Sequence, residues 1–134
     1  MNYPQVALEF MNRDHAEFVV LLQKTLDALS NNDRPVQVDA LLDELLAHTR
    51  RHFAEEEREM QTTGFPPYPM HQGEHERVLV AMAAKISEWH SGHDRTALKA
   101  WLEGPVSDWF VNHVSTMDTM TARYIAACRS EKTD

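Results

Sequence analysis

Eight histidines in 134 residues are the compositional anomaly of this chain. Five of them, with one glutamate, stand on lines otherwise built of Leu, Met, Val, Phe and Trp: His15, His52, Glu56, His71, His75 and His113. His52 and Glu56 are four residues apart, and so are His71 and His75. On a helix that spacing puts both members of a pair on one face, one turn apart. Burying so many polar groups without partners costs several kcal/mol each, more than a marginally stable domain absorbs. They must therefore pair with one another or hold a metal. A lone histidine on an apolar face is usually satisfied by a carbonyl. Five on facing stripes, with carboxylates nearby, form a joint pattern that points to metal.

The donor types narrow the choice. A nitrogen-rich set without cysteine does not suit a structural zinc site, and magnesium and calcium prefer oxygen. Imidazole with carboxylate suits iron, and several histidines with two carboxylates suit two irons bridged by those carboxylates. No histidine has a glutamate three residues before it, so the Glu-x-x-His signature of ferritin-like di-iron bundles is missing. His-Glu-x-x-His is absent too, which removes the common zinc-protease reading.

Such side chains need long helices to position them. Four glycines, scattered β-branched residues and abundant Leu, Ala, Met, Glu and Arg predict an all-α protein. A first helix is expected from near Pro4, with Leu8, Met11, His15, Phe18, Leu22 and Leu29 on one face. Asn31-Asn32-Asp33-Arg34-Pro35 breaks it. A second helix is expected from about Val38 to Thr62, carrying Leu41, Leu45, His48, His52, Glu56 and Met60. The proline-rich run from Thr63 to Pro69 ends it. A third is expected from about Met70 to Trp89, stopped by Ser91-Gly92-His93. Asp94 reads as the N-cap of a further stretch, with Gly104-Pro105 as a kink or a stop and restart. The last helix then runs from Val106 to about Cys128. The expectation is one domain over 1–134, an antiparallel up-down four-helix bundle with a short extra helical stretch before the last helix.

The motifs resemble the hemerythrin family, specifically its single-domain bacterial members. Asp14-His15 opens the pattern. His52-Phe53-Ala54-Glu55-Glu56-Glu57 is similar to the family's His-Phe-x-x-Glu-Glu run. Gly64-Phe65-Pro66 precedes His71-Gln72-Gly73-Glu74-His75, and Trp109-Phe110-Val111-Asn112-His113 is followed by Asp118. The resemblance implies one iron on His71, His75 and His113, another on His15 and His52, and Glu56 and Asp118 bridging both with an oxo or hydroxo group. Counting donors then leaves the two-histidine iron one vacant position, where dioxygen or a similar diatomic would bind. Asp118 lies about 140° around a regular helix from His113, so a π-bulge is expected between them. Phe110 stands where the family usually has Leu. Phe18, Phe53, Trp109, Phe110 and Val114 are candidate pocket walls, or else ordinary core packing. His48 is a candidate support or exchangeable ligand, or a partly buried histidine near the bundle end.

The remaining features mainly exclude. A formal net charge of −8 without a basic stripe excludes nucleic acid and an anionic membrane face. No apolar run approaches a membrane span, there is no secretory signal pattern at the start, and Cys128 is the single cysteine. A cytoplasmic protein is expected. His90 and His93 are expected in solvent, and Glu55, Glu57 and Glu59 as a surface run paired with Arg50, Arg51 and Arg58. The resemblance implies oxygen binding, storage or delivery rather than enzymatic turnover. The alternatives are a sensor of oxygen, nitric oxide or redox state, and a di-iron oxidase or peroxidase in stress or iron handling.

Overall fold

A computed structural model describes residues 1–133 of the chain. The elements are α1 (Glu9–Ser30), α2 (Pro35–Thr63), α3 (Tyr68–Gly92), α4 (Arg95–Trp101), a π turn (Leu102–Val106), α5 (Ser107–His113), a second π turn (Val114–Asp118) and α6 (Thr119–Thr133). There is no strand among the described residues. The last five elements form one unbroken rod, because every junction residue keeps right-handed helical dihedrals. Four rods joined by short loops make the antiparallel bundle. The Trp89 indole, late in α3, donates to Asp39, early in α2, at 2.7 Å. The Tyr124 hydroxyl in α6 reaches the Thr63 carbonyl at the end of α2.

The termini differ from the expected ones for local reasons. α1 starts at Glu9, not near Pro4, because the Asn12 side chain captures the arm before it. Asn12 accepts from the Val6 N–H at 2.8 Å and donates to the Val6 carbonyl at 3.0 Å. α2 starts earlier than expected, with Pro35 in its first turn and the Arg34 N–H donating to the Gln37 side chain. It stops at Gly64, whose φ of +66° is left-handed, while the Phe65 N–H returns to the Met60 carbonyl. Phe65 and Met60 are both buried in one apolar cluster, which adds the hydrophobic contact such stops usually carry. Asp94 caps α4 by accepting from the Ala97 N–H at 3.0 Å, as expected.

Gly104-Pro105 neither stops the rod nor restarts it. The π turn absorbs the proline's missing donor, and the Ser107 hydroxyl caps the Leu102 carbonyl at 2.9 Å. The second π turn uses the same device, with Thr119 donating to the Val114 carbonyl at 2.7 Å. It lies between His113 and Asp118, where the sequence required a wide turn.

The core is divided. One apolar cluster, including Leu22, Leu42, Leu45, Met82, Trp89, Leu98 and Leu102, fills the end near the α1–α2 loop. A smaller one, built on Leu8, Met11, Met60, Phe65, Ala122 and Ile125, fills the other end. Each fully buried aliphatic side chain contributes about 1.5–3 kcal/mol. Between the two plugs lies a layer of buried ionisable groups. Gly64→Ala should lower the unfolding free energy by about 1 kcal/mol, since a Cβ is strained at that φ though it meets no atom within 4 Å. Chemical denaturation checks this, with an unchanged midpoint as the contrary result.

Candidate metal centre

The polar layer is assembled from all four rods. α1 supplies His15, α2 supplies His52 and Glu56, α3 supplies His71 and His75, and the last rod supplies His113 and Asp118. None is more than 8% exposed. Their donor atoms fall into two overlapping groups, each held within 4.8 Å. One group is Glu56, His71, His75, His113 and Asp118; the other is His15, His52, Glu56 and Asp118. The two carboxylates belong to both.

Contacts across the layer are short. His52 Nε2 lies 2.5 Å from Glu56 Oε2, and His75 Nε2 lies 3.2 Å from Glu56 Oε1. Asp118 Oδ1 is 3.2 Å from both His71 Nε2 and His113 Nε2, and Asp118 Oδ2 is 2.9 Å from His15 Nε2. The π turn makes the last pairings possible by turning Asp118 onto the face of His113. Yet both Glu56 oxygens, Asp118 Oδ1 and His75 Nε2 are buried without a properly directed hydrogen bond, as is His15 Nδ1. Each such atom costs about 1–3 kcal/mol, more when charged. Proximity without hydrogen-bond geometry is the arrangement expected of donors that converge on cations. Nitrogen and oxygen donors without sulfur suit iron.

Outer partners orient three of the rings. His52 Nδ1 is 2.9 Å from Asp14 Oδ2, His75 Nδ1 is 2.9 Å from Glu57 Oε2, and His71 Nδ1 is 2.8 Å from the Thr121 hydroxyl. A proton on Nδ1, donated outward, leaves the Nε2 lone pair facing inward as a metal ligand requires. Phe53 stacks on His75 with centroids 3.8 Å apart, and Trp109 stacks on His113 at 4.8 Å. Trp109 is itself fixed by its indole N–H, which donates to Glu74 at 3.0 Å.

Charge within the layer is tightly balanced. Burial disfavours the His52 imidazolium, but Glu56, Asp14 and Asp118 outweigh it and raise its pKa to about 10. Burial and the Asp118 charge push Glu56 upward, yet His52 and His75 prevail and hold it at about 2. Burial likewise opposes Asp118, but its close contacts with His113, His15 and His71 keep it well below the usual carboxylate range. His113 is pushed down by burial and raised further by Asp118 and Glu56.

Beside the two-histidine group lies a small cavity of about 20 Å³, room for a single water-sized molecule. Phe18, Phe53, Trp109, Phe110 and Val114 all line it, with His15, His52, His113, Asp118 and His48. Phe18 and Phe110 stack at 4.8 Å, and Tyr3 meets Phe110 edge-on at 5.1 Å. The captured N-terminal arm thus lays an aromatic roof over the site, which the expected early helix start had hidden. His48 is buried but makes no hydrogen bond to the seven central residues; its Nε2 is 3.5 Å from Glu17. Glu57 does not join a surface charge run; it turns onto His75, and Glu59 pairs with Arg129 rather than with a nearby arginine of its own helix. His90 stays largely in solvent beside Asp39, and His93 ends α3 in a left-handed turn. Asp14, Glu57, Thr121 and Tyr3 escaped notice in the sequence as partners of the site. Asp14 and Glu57 each adjoin a central residue, the one signal that could have found them.

Residues 6–125 match the family described as Hemerythrin HHE cation binding domain. The chain is 34% identical over 113 residues to a bacteriohemerythrin of Ralstonia nicotianae, covering 84% of this chain and 77% of that protein. It is 30% identical over 116 residues to a bacteriohemerythrin of Aquifex aeolicus, covering 87% and 88%. A crystal structure of wild-type hemerythrin matches the fold with a TM-score of 0.79 at 23% identity, over 94% of this chain and 98% of that one. No helix among the described residues is long and apolar enough to cross a membrane.

Two outcomes follow from this geometry. Cation uptake by the ion-free protein at pH 7 should release protons, because His52, with a pKa near 10, must give up its Nε2 proton to bind. The apparent affinity therefore falls as pH falls; calorimetry in buffers of different ionisation enthalpy measures the release, and none would contradict the ligand geometry. Removing the outer acceptor of His75, as in Glu57→Ala, should weaken cation binding about 10–100-fold in a competitive chelator titration.

Proposed function

The chain belongs to the hemerythrin family, and from that membership we propose that it binds dioxygen reversibly at a pair of irons, within a single domain spanning the chain. One observation carries the reading. Two donor groups share Glu56 and Asp118 but hold unequal numbers of histidines, and the histidine-poor group borders the apolar cavity. His71, His75 and His113 would hold one ion, His15 and His52 the other, and Glu56 and Asp118 both. Bound there, a pair of ferrous ions would supply the electrons and the open position that reversible dioxygen binding requires.

The chain's own residues define what can reach that position. Phe18, Phe110 and Val114 present carbon to the cavity, so a small apolar diatomic is admitted more readily than water or an anion. A larger apolar cavity of about 120 Å³, lined by Val78, Met82, Trp101 and Pro105 among others, shares Phe18 and Trp109 with the small one. Those two rings are the partition between them. An oxidase or peroxidase reading draws on His48, a titratable group that lines the same cavity.

The test is to load the protein with ferrous iron, admit oxygen and follow the visible spectrum beside an iron assay. A charge-transfer band that disappears on evacuation, at two irons per chain, supports reversible binding. Immediate, irreversible conversion to the ferric form supports an enzyme or sensor instead. Phe110→Ala should shorten the lifetime of the oxygenated form by opening the roof to water, as read from the decay of the same band.

A further inference from the structure

Beside the His52 ring lies a second set of donors. Asp14 and Glu17 on α1 and His48 on α2 each offer a ligand atom, and these atoms lie within 4.8 Å of one another. Glu17 is the outermost, with its side chain 53% exposed. His48 is 7% exposed and faces Glu17 through Nε2 at 3.5 Å, while its buried Nδ1 has no hydrogen-bond partner among the described residues. Asp14 accepts from His52 through Oδ2, so it belongs at once to this group and to the support of the inner layer. Asp14 and His48 both line the small cavity that also touches His15, His52 and Asp118.

We propose that Asp14, Glu17 and His48 form an outer divalent-cation site through which the inner centre is loaded. The proposal rests on the reading of the inner layer as a two-cation centre. Two carboxylates and an imidazole suit a ferrous ion, and three donors leave half of an octahedral shell to water. Such a site holds an ion weakly and strips its hydration in part, as a transit site must. Glu17 meets the hydrated ion at the surface. His48 and Asp14 draw it inward, and Asp14, in contact with the His52 ring at 2.9 Å, joins this site to the inner layer. Arg13, the cation beside Asp14, pairs loosely at 3.6 Å and is 60% exposed, so it is readily displaced.

The experiment mixes ion-free protein with Co(II) in a stopped-flow instrument and follows visible d–d absorption, with final occupancy from elemental analysis. The wild-type rate should saturate with Co(II) concentration, as a pre-equilibrium at an outer site demands. Glu17→Gln and His48→Ala should slow loading about tenfold and make it linear in concentration, the scale expected when a charged entrance is lost. Both should still reach two ions per chain. Glu17→Gln alters only an exposed side chain and so stays interpretable if His48→Ala folds poorly. Glu88→Gln, an exposed carboxylate remote from the site, should load at the wild-type rate. Wild-type kinetics in both site variants, with two ions bound, would overturn the outer site alone. Failure of the wild-type protein to take two ions would overturn the inner reading and this proposal together.

Discussion

A layer of seven ionisable groups lies buried across the middle of a helical bundle, and most of the structure exists to hold it there. Glu56 and Asp118 are essentially without solvent, and five imidazoles surround them. In that setting an unpaired charge costs far more than any single side-chain contact returns. The layer is tolerable because positive charge, whether protons on imidazole or bound cations, sits among the carboxylates. The two apolar plugs on either side then supply the folding energy the layer itself does not.

The helices position the layer with unequal effort. α2 and α3 present their pairs by regular helical spacing alone. The last rod cannot, since five residues separate His113 from Asp118, and it uses a π turn stabilised by the Thr119 hydroxyl. The outer partners finish the work. Asp14, Glu57 and Thr121 fix which nitrogen of His52, His75 and His71 faces inward. Phe53 and Trp109 fix ring tilt by stacking. The same aromatic walls form the cavity, so orientation of the donors and exclusion of water come from one set of side chains.

Much of this is legible in the amino-acid sequence. The four helices, the interrupting loops and the inward stripes follow from periodicity and from proline and glycine placement. The His52–Glu56 and His71–His75 pairs follow from a spacing of four. Asp118 did not, because it is off the regular stripe and needed the family motif to be singled out. Glu57 was hidden by its neighbours: in a run of glutamates and arginines, one that turns inward to a histidine has the same composition as one that does not. The N-terminal arm was misread because Pro4 is compatible with a helix start, and only the Asn12 side chain, six residues from Val6, fixes the extended path. Ser107 and Thr119, which cap the π turns, carry no periodic signal.

The shared carboxylates are the central claim, since they make two donor groups into one centre. Mössbauer and magnetic susceptibility measurements on the ferric, iron-loaded protein test it most directly. Ions bridged through Glu56, Asp118 and an oxygen should give two irons per chain with antiferromagnetically coupled spins and a diamagnetic ground state. One iron per chain, or two with independent high-spin signals, would contradict a bridged pair.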